Sequence, residues 1–244
     1  MLSFTRGRHR VREALEPQDI AAAQALRHLC FHGTPGRDAD RFDAVCRHVL
    51  IEEARTGTLV GCFRLMALGS GGDIAHSYSA QYYDLGALAR FPAPMVELGR
   101  FCIHPDHHDP DILRLAWAGL TRLVDDRKAG LLFGCSSFKG TEPAPYLDAF
   151  AALGAGHLAP ARWGPGVKAP EVFRFARALA GHTPDPRRAA LTMPPLLRSY
   201  LAMGGWVSDH AVVDAAMNTL HVFTGLEIGA IPPARARSLR QTAS

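Results

Sequence analysis

Residues 95–138 admit one reading, a strand, a helix and a second strand, and that unit constrains the rest of the chain. Met95–Ile103 is apolar at most positions and bounded by Pro92, Pro94 and Pro105, the pattern of a strand. Asp109 as N-cap and Pro110 at N1 open a helix predicted over 111–129. Ile112, Leu115, Ala116, Leu120, Leu123 and Val124 form its apolar face, and Gly130 is predicted at C′. Residues 131–138 are a second buried strand. A right-handed crossover then sets the two strands parallel and close in one sheet.

Glu97 stands inside the first strand. A buried acid is costly unless it is paired or used. A period of two puts Glu97 and Gly99 on one face and Leu98 and Arg100 on the other, so Glu97 and Arg100 meet only if a bulge turns them together. One reading is a structural Glu–Arg network between strands. The other is a general base or an anchor for a substrate ammonium, with partial burial raising the acid towards neutrality.

The chain has 244 residues, 48% of them hydrophobic, enough for a full core without disulfide staples. Cys30, Cys46, Cys62, Cys102 and Cys135 lack zinc or redox spacing, which points to buried thiols in a reducing compartment. A net charge of +4 favours an acidic partner only weakly and is too low for a nucleic-acid protein. Arginine carries nearly all of it, with lysine only at Lys128, Lys139 and Lys168. No signal peptide or membrane-spanning run is read from the sequence, so a cytoplasmic location is expected. Arg187, Arg188 and Arg198 beside Leu191, Leu196 and Leu201 leave open a peripheral contact with an anionic bilayer.

Along the rest of the chain, residues 10–15 read as a first strand and Pro17 opens a helix to about Phe31. Residues 48–54 and 58–66 form an antiparallel hairpin. Residues 69–94 are irregular and aromatic, the composition of a segment that lines or covers a site. Thr141 is predicted to cap a helix running to Leu153, residues 171–180 are strand or short helix, and two closing strands fall at 211–213 and 219–223. Residues 1–231 are expected to form one domain and residues 232–244 a flexible tail.

His104, His107 and His108 beside Asp106 and Asp109 match no strong zinc pattern, so no metal site is expected. Ser136 and Ser137 lie outside a nucleophile elbow, and no phosphate-binding glycine loop occurs. A hydroxyl such as that of Ser136 is a candidate for steadying a ligand at the end of its strand.

Three segments together have a familiar form: 97–105 (Glu-Leu-Gly-Arg-Phe-Cys-Ile-His-Pro), the helix ending near Arg127, and 133–141 (Phe-Gly-Cys-Ser-Ser-Phe-Lys-Gly-Thr). With the aromatic segment 78–85, Phe42-Asp43 and the stretch 194–207, they resemble the ornithine acyl-ACP N-acyltransferases, which are of the GNAT fold and related to acyl-homoserine lactone synthases. The resemblance implies an α+β fold. Its mixed, mostly antiparallel central sheet contains a splayed parallel strand pair and has helices on both faces. It implies transfer of a fatty acyl group, typically 3-hydroxyacyl, from acyl carrier protein to the α-amine of L-ornithine, giving lyso-ornithine lipid. No permanently bound cofactor is expected; the donor is the 4′-phosphopantetheine thioester of acyl carrier protein. Glu97 is then the expected base, with Arg100 organising the site. Asp43, Tyr78 and Ser136 are candidates for binding substrate, and Phe101, Cys102, Ile103 and Arg122 for meeting the donor. The turn 104–110 departs from the acetyl-CoA pattern, being acidic and without glycine, which favours carrier protein over CoA. The alternatives are lactone-type or other amino-acid acylation, or a non-catalytic acyl-carrier or lipid-binding protein.

Overall fold

A computed structural model describes residues 1–243. In chain order the elements are β1 (Ser3–Arg6), β2 (His9–Glu13), α1 (Pro17–His32), β3 (Arg47–Glu53), β4 (Leu59–Leu68), β5 (Tyr83–Asp84) and β6 (Met95–Ile103). There follow α2 (Pro110–Asp126), β7 (Leu131–Lys139), α3 (Leu147–Gly156), β8 (Gly166–Val167), β9 (Val172–Phe173) and α4 (Phe175–Ala178). The chain closes with α5 (Pro186–Thr192), α6 (Pro195–Leu201), β10 (Trp206–Asp214), β11 (Thr219–Glu227) and α7 (Pro233–Ala243). The fold is a mixed α+β fold of the GNAT type. Its sheet is mostly antiparallel with one parallel strand pair, and helices flank it.

The chain packs as two compact units. In the first, the strand order is β1-β2-β3-β4-β6, and the β1–β2, β2–β3 and β3–β4 pairs are antiparallel. The two faces separate by strand alternation. Leu50, Cys62 and Cys102 pack with Ala23 and Leu26 of α1. On the other face Gly61 closes on Ile51 and on Ile112 of α2, where a Cβ would meet the Ile112 side chain at 3.4 Å. Gly119 of α2 likewise approaches Val11, its absent Cβ 3.0 Å from that side chain.

Residues 233–243, in the stretch expected as a tail, form α7. Arg240 donates to Asp125 at 2.8 and 2.9 Å, and Arg6 donates to the carbonyls of Gln241 and Thr242. The segment shows no apolar periodicity, and its partners come from remote parts of the chain, so nothing local announces it. At the end of α2 the left-handed residue is Lys128 (φ 51°), not Gly130. Gly130 serves packing instead, since a Cβ there would lie 2.7 Å from that of Ala93.

In the second unit the order is β7-β11-β10-β9, antiparallel throughout. One face carries an apolar core in which Phe138, Val207, Leu220 and Val222 meet Phe150, Phe175 and Leu197 of the helices. The opposite face is covered by the aromatic segment of residues 78–85. Tyr83 packs on His210, His221 and Phe223, and its hydroxyl donates to the His221 carbonyl at 2.7 Å while lying 3.1 Å from His221 Nδ1. β5 pairs with β8, and Lys168 donates to the Ala80 carbonyl at 2.5 Å, so the 159–170 loop clamps the aromatic segment down. Thr141 is not a helix cap. A 3-10 turn at Ala144–Tyr146 intervenes and α3 begins at Leu147, because Pro143 and Pro145 delay regular helix. Residues 171–180 divide into β9 and α4, and α5 joins the helices that sequence periodicity identifies.

His221 is 2% exposed, and burial pushes its pKa from 6.5 to about 4. The unfolded chain therefore takes up a proton before the folded one does, and stability falls as pH drops from about 6.5 to about 4, by about 3 kcal/mol from this group. Urea unfolding across that window is expected to show the slope, and His221→Phe to flatten part of it. An unchanged slope in the variant would show that His221 does not carry it.

Candidate active site

The site is built in the first unit from a turn and three arginines. Residues 38–43 (Asp-Ala-Asp-Arg-Phe-Asp) run into a 3-10 turn at Arg41–Ala44. Asp40 caps it, accepting from Phe42 N at 2.9 Å, and Asp43 reaches back to Asp40 N at 3.3 Å. This reciprocal capping is a local property of aspartate spaced by three residues. It fixes three carboxylates on one short segment.

Arg27 of α1, Arg64 of β4 and Arg100 of β6 converge on them. Arg27 donates to Asp38 Oδ2 at 2.8 Å, to the Asp38 carbonyl and to both Asp43 oxygens at 2.9 Å. Arg64 donates to Asp43 Oδ1 and Asp40 Oδ1 at 2.6 Å and to Asp40 Oδ2 at 2.7 Å. Arg100 donates to Asp38 Oδ2 at 2.9 Å and Asp40 Oδ2 at 3.1 Å. Gln24 extends the network, giving its amide N–H to Asp43 at 2.8 Å and accepting from Arg37 at 2.6 Å. His48 Nε2 lies 3.1 Å from the Asp43 carbonyl. Arg64 and Arg41 also lie 5.7 and 5.0 Å from the Phe42 ring centroid.

Arg27 is 1% exposed and Arg64 2%, so the charges balance in a nearly dry setting. Burial pushes Asp43 up, but hydrogen bonds from Arg27 and Gln24 and the arginine charges outweigh it and hold its carboxyl well below the usual range. Asp40 is lowered in the same way, burial opposing and Arg64 prevailing.

Arg100 has φ 52°, a left-handed residue within a strand. Strict alternation would turn it away from the face of Gly99, whose Cβ position looks onto Arg64 at 3.6 Å. The left-handed residue breaks that alternation and lets Arg100 share Asp40 with Arg64. A non-glycine residue at this φ costs on the order of 1–2 kcal/mol, offset here by two charged hydrogen bonds. Glu97 lies on the Gly99 face by alternation and is 4% exposed. Its charge reaches Cys46, whose thiol is pushed up to about 11, first by burial, with Arg64 opposing and Glu97, Asp40 and Asp43 adding.

Glu97, Arg100 and Asp43 are thus members of one electrostatic neighbourhood. Phe101 stacks on Phe63 with ring centroids 6.1 Å apart, the Cys102 sulfur lies 3.6 Å from that of Cys62, and the Ile103 carbonyl accepts from Cys30. Arg122 lies over the Phe4 ring at 4.6 Å, roughly three turns from the start of α2. At that start Asp109 caps Asp111 N at 2.9 Å and binds Arg8 at 2.9 Å. Tyr78 and Ser136 belong to the second unit. Tyr78 lies 3.3 Å from Tyr82, hydroxyl to hydroxyl, and Ser136 accepts from Thr224 at 2.9 Å. Among the described residues no group of His, Cys, Asp and Glu has the arrangement of a metal site.

Sequence reasoning misses Arg27, Asp38, Asp40 and Arg64. Arg64 carries the signal that flags Glu97, a charge inside an apolar strand. Arg27 falls on the apolar stripe of α1.

Comparison with known proteins finds relatives along most of the chain. The acetyltransferase (GNAT) domain family matches residues 27–118. An L-ornithine N(alpha)-acyltransferase of Rhodobacter capsulatus is 31% identical, over 88% of this chain and 88% of its own. One of Rhizobium meliloti is 31% identical, over 90% of this chain and 80% of its own. The solved structure of FeeM, an N-acyl amino acid synthase from uncultured soil microbes, shares the fold at a TM-score of 0.53 and 10% identity, covering 91% of this chain and 93% of its own.

Both Asp43 oxygens are saturated. Asp43→Ala should therefore cost about 3–5 kcal/mol, because Arg27 keeps only Asp38, Arg64 keeps only Asp40, and three buried arginines then face two carboxylates. Urea denaturation checks this; a loss below about 1 kcal/mol would deny the cluster its structural weight.

Proposed function

The chain belongs to the L-ornithine N(alpha)-acyltransferase family of the GNAT superfamily, and from that membership we propose that it acylates the α-amine of L-ornithine. The donor in this reading is a 3-hydroxyacyl thioester on acyl carrier protein, and the product is lyso-ornithine lipid. The observation that carries the mechanism is Glu97, buried on β6 within the field of the arginine–aspartate cluster.

Ornithine arrives as an ammonium and is not nucleophilic until a proton leaves. Glu97 takes that proton, directly or through one water. The neutral nitrogen attacks the thioester carbonyl, the C–N bond forms, and the tetrahedral oxyanion is held by backbone N–H groups. A left-handed residue in a strand interrupts the hydrogen-bond ladder, so β6 next to Arg100 is where such donors become available. Collapse breaks the C–S bond, and the pantetheine thiolate takes up a proton as it leaves. No covalent acyl-enzyme is required.

Asp43 has its oxygens committed to Arg27, Arg64, Gln24 and Asp40 N, so its role is to position the arginines rather than to bind the distal ammonium. Arg100 organises the cluster beside Glu97. Phe101, Cys102 and Ile103 line the donor arm. Carrier protein is favoured over CoA by the start of α2. Asp109 there already occupies an amide that a pyrophosphate would need, and acids at 106, 109 and 111 repel it. Arg122 serves docking of that acidic partner. No helix among the described residues is long and apolar enough to cross a membrane. A peripheral contact with an anionic bilayer belongs to the reading, through α5, where Leu191 is 85% exposed beside Arg187 and Arg188.

The test is acylation by purified protein of a panel of amino acids, with acyl-ACP and acyl-CoA in parallel and products identified by mass and fragmentation. Nα-acylornithine from acyl-ACP is the expected product; its absence alongside another acylated amino acid would replace the substrate. Glu97→Gln is expected to lower kcat on the order of 100-fold or more with an unchanged unfolding midpoint. Full activity in that variant would falsify the base assignment.

A further inference from the structure

The charge cluster balances within itself and leaves one neighbouring cation over. Arg27, Arg64 and Arg100 are met by Asp38, Asp40 and Asp43, three against three. Arg37, next to Asp38 in the chain, is exposed and has no carboxylate partner among the described residues. The nearest acids in sequence are already committed. Asp38 accepts from Arg27 and Arg100, and Asp40 from Arg64 and Arg100.

Arg37 is held in place all the same. Its Nε donates to Gln24 Oε1 at 2.6 Å. Gln24 is buried, gives its amide N–H to Asp43 at 2.8 Å and accepts from Asp38 N at 3.1 Å through its backbone carbonyl. One glutamine of α1 thus ties together the loop backbone, the Arg37 guanidinium and the Asp43 carboxylate. Arg27 adds a further tie by donating to the Asp38 carbonyl. The side chain is ordered before any ligand arrives, which lowers the entropic cost of a grip.

With Nε in use, the edge that remains is Nη1 and Nη2. These are two parallel N–H donors on a planar fork, matched to the two oxygens of a carboxylate. Arg41, the other exposed arginine of this segment, lies 5.0 Å over the Phe42 ring and has no such tie to Gln24.

We propose that Arg37 binds the α-carboxylate of the amino-acid acceptor end-on and so makes the site select an α-amino acid over a plain amine. This rests on the acyl transfer proposed above. An α-amino acid carries an ammonium and a carboxylate on one carbon, so its site must offer an acid and a cation together. Glu97 is the acid in that reading. The aspartates cancel the charges of Arg27, Arg64 and Arg100, whereas the charge of Arg37 is not cancelled. Hydrogen bonds run from Arg37 through Gln24 and Asp43 to Arg64, and Arg64 lies against the Gly99 position on the Glu97 face of β6. Arg37 makes or breaks no covalent bond in this role; it determines specificity.

The experiment compares L-ornithine with putrescine, which keeps both amines and lacks only the carboxylate, at saturating acyl-ACP. The wild type is expected to favour ornithine in kcat/KM by at least about tenfold. Arg37→Gln should lose at least about tenfold on ornithine, mostly in KM, and change less than about twofold on putrescine. Arg37→Lys, which keeps the charge without the fork, should fall between. Equal losses on both acceptors would show that Arg37 only holds its loop, and an unchanged preference for ornithine would show that it does not meet the carboxylate; either result overturns the proposal. Calorimetric titration with ornithine, which needs no acyl donor, should show binding weakened at least about tenfold in Arg37→Gln, and equal affinity would overturn it. If a different amino acid proves to be the acceptor, the ornithine reading falls and Arg37 is judged on that amino acid against its decarboxylated amine. If no amino acid is bound or acylated, both readings fall, whereas acylation with an unchanged preference removes the role of Arg37 alone.

Discussion

The carboxylate of Asp43 is the constraint on which the first unit depends. It accepts from Arg27 and Arg64 with Gln24 and its own turn as supports, and every oxygen is occupied. Removing two charges from water costs several kcal/mol each, and only such complete hydrogen bonding repays it. In return, a helix, a turn and a strand are held in one relative arrangement. A purely apolar core would tolerate small shifts among these elements. A shared carboxylate does not, because each donor must keep its distance and angle.

That rigidity explains how a strained residue persists beside it. Arg100 at φ 52° is unfavourable in isolation and is held because Asp38 and Asp40 bind its guanidinium. The same torsion turns the strand's charged side chain towards the cluster. Structure and chemistry thus meet at one backbone torsion. In the proposed reaction Glu97 is the proton acceptor, separated from this torsion by one residue pair.

Legibility of the sequence varied with the range of the interactions involved. The strand at Met95–Ile103 and the helix after it were readable from alternation, prolines and an N-cap, all local signals. Glu97 was readable because a charge in an apolar strand stands out. Arg64 carried the same signal in β4, but the flanking hairpin already accounted for the segment. Arg27 was hidden because a buried arginine on an apolar stripe reads as one more core position until its partners are known. The helix α7 was hidden for the opposite reason: it is polar on most sides, and its anchors are Asp125 and Arg6, far away in the chain. The aromatic segment at 78–85 was recognisable as having a job. That the job includes covering the His210–His221 face of a sheet followed only from the packing of Tyr83.

By itself the sequence determined the local elements, the family resemblance and the acid at the centre of the expected chemistry, because each is written in periodicity, turn residues and short motifs. Only the tertiary structure decided which charges neutralise one another. Arg27, Arg64 and Arg100 lie on three separate elements and the aspartates on a fourth, so their meeting depends on how α1, β4 and β6 pack. It also reassigned Asp43 from a free acid to a saturated one, since exposure and hydrogen-bond capacity are properties of the folded surroundings and not of the residue type.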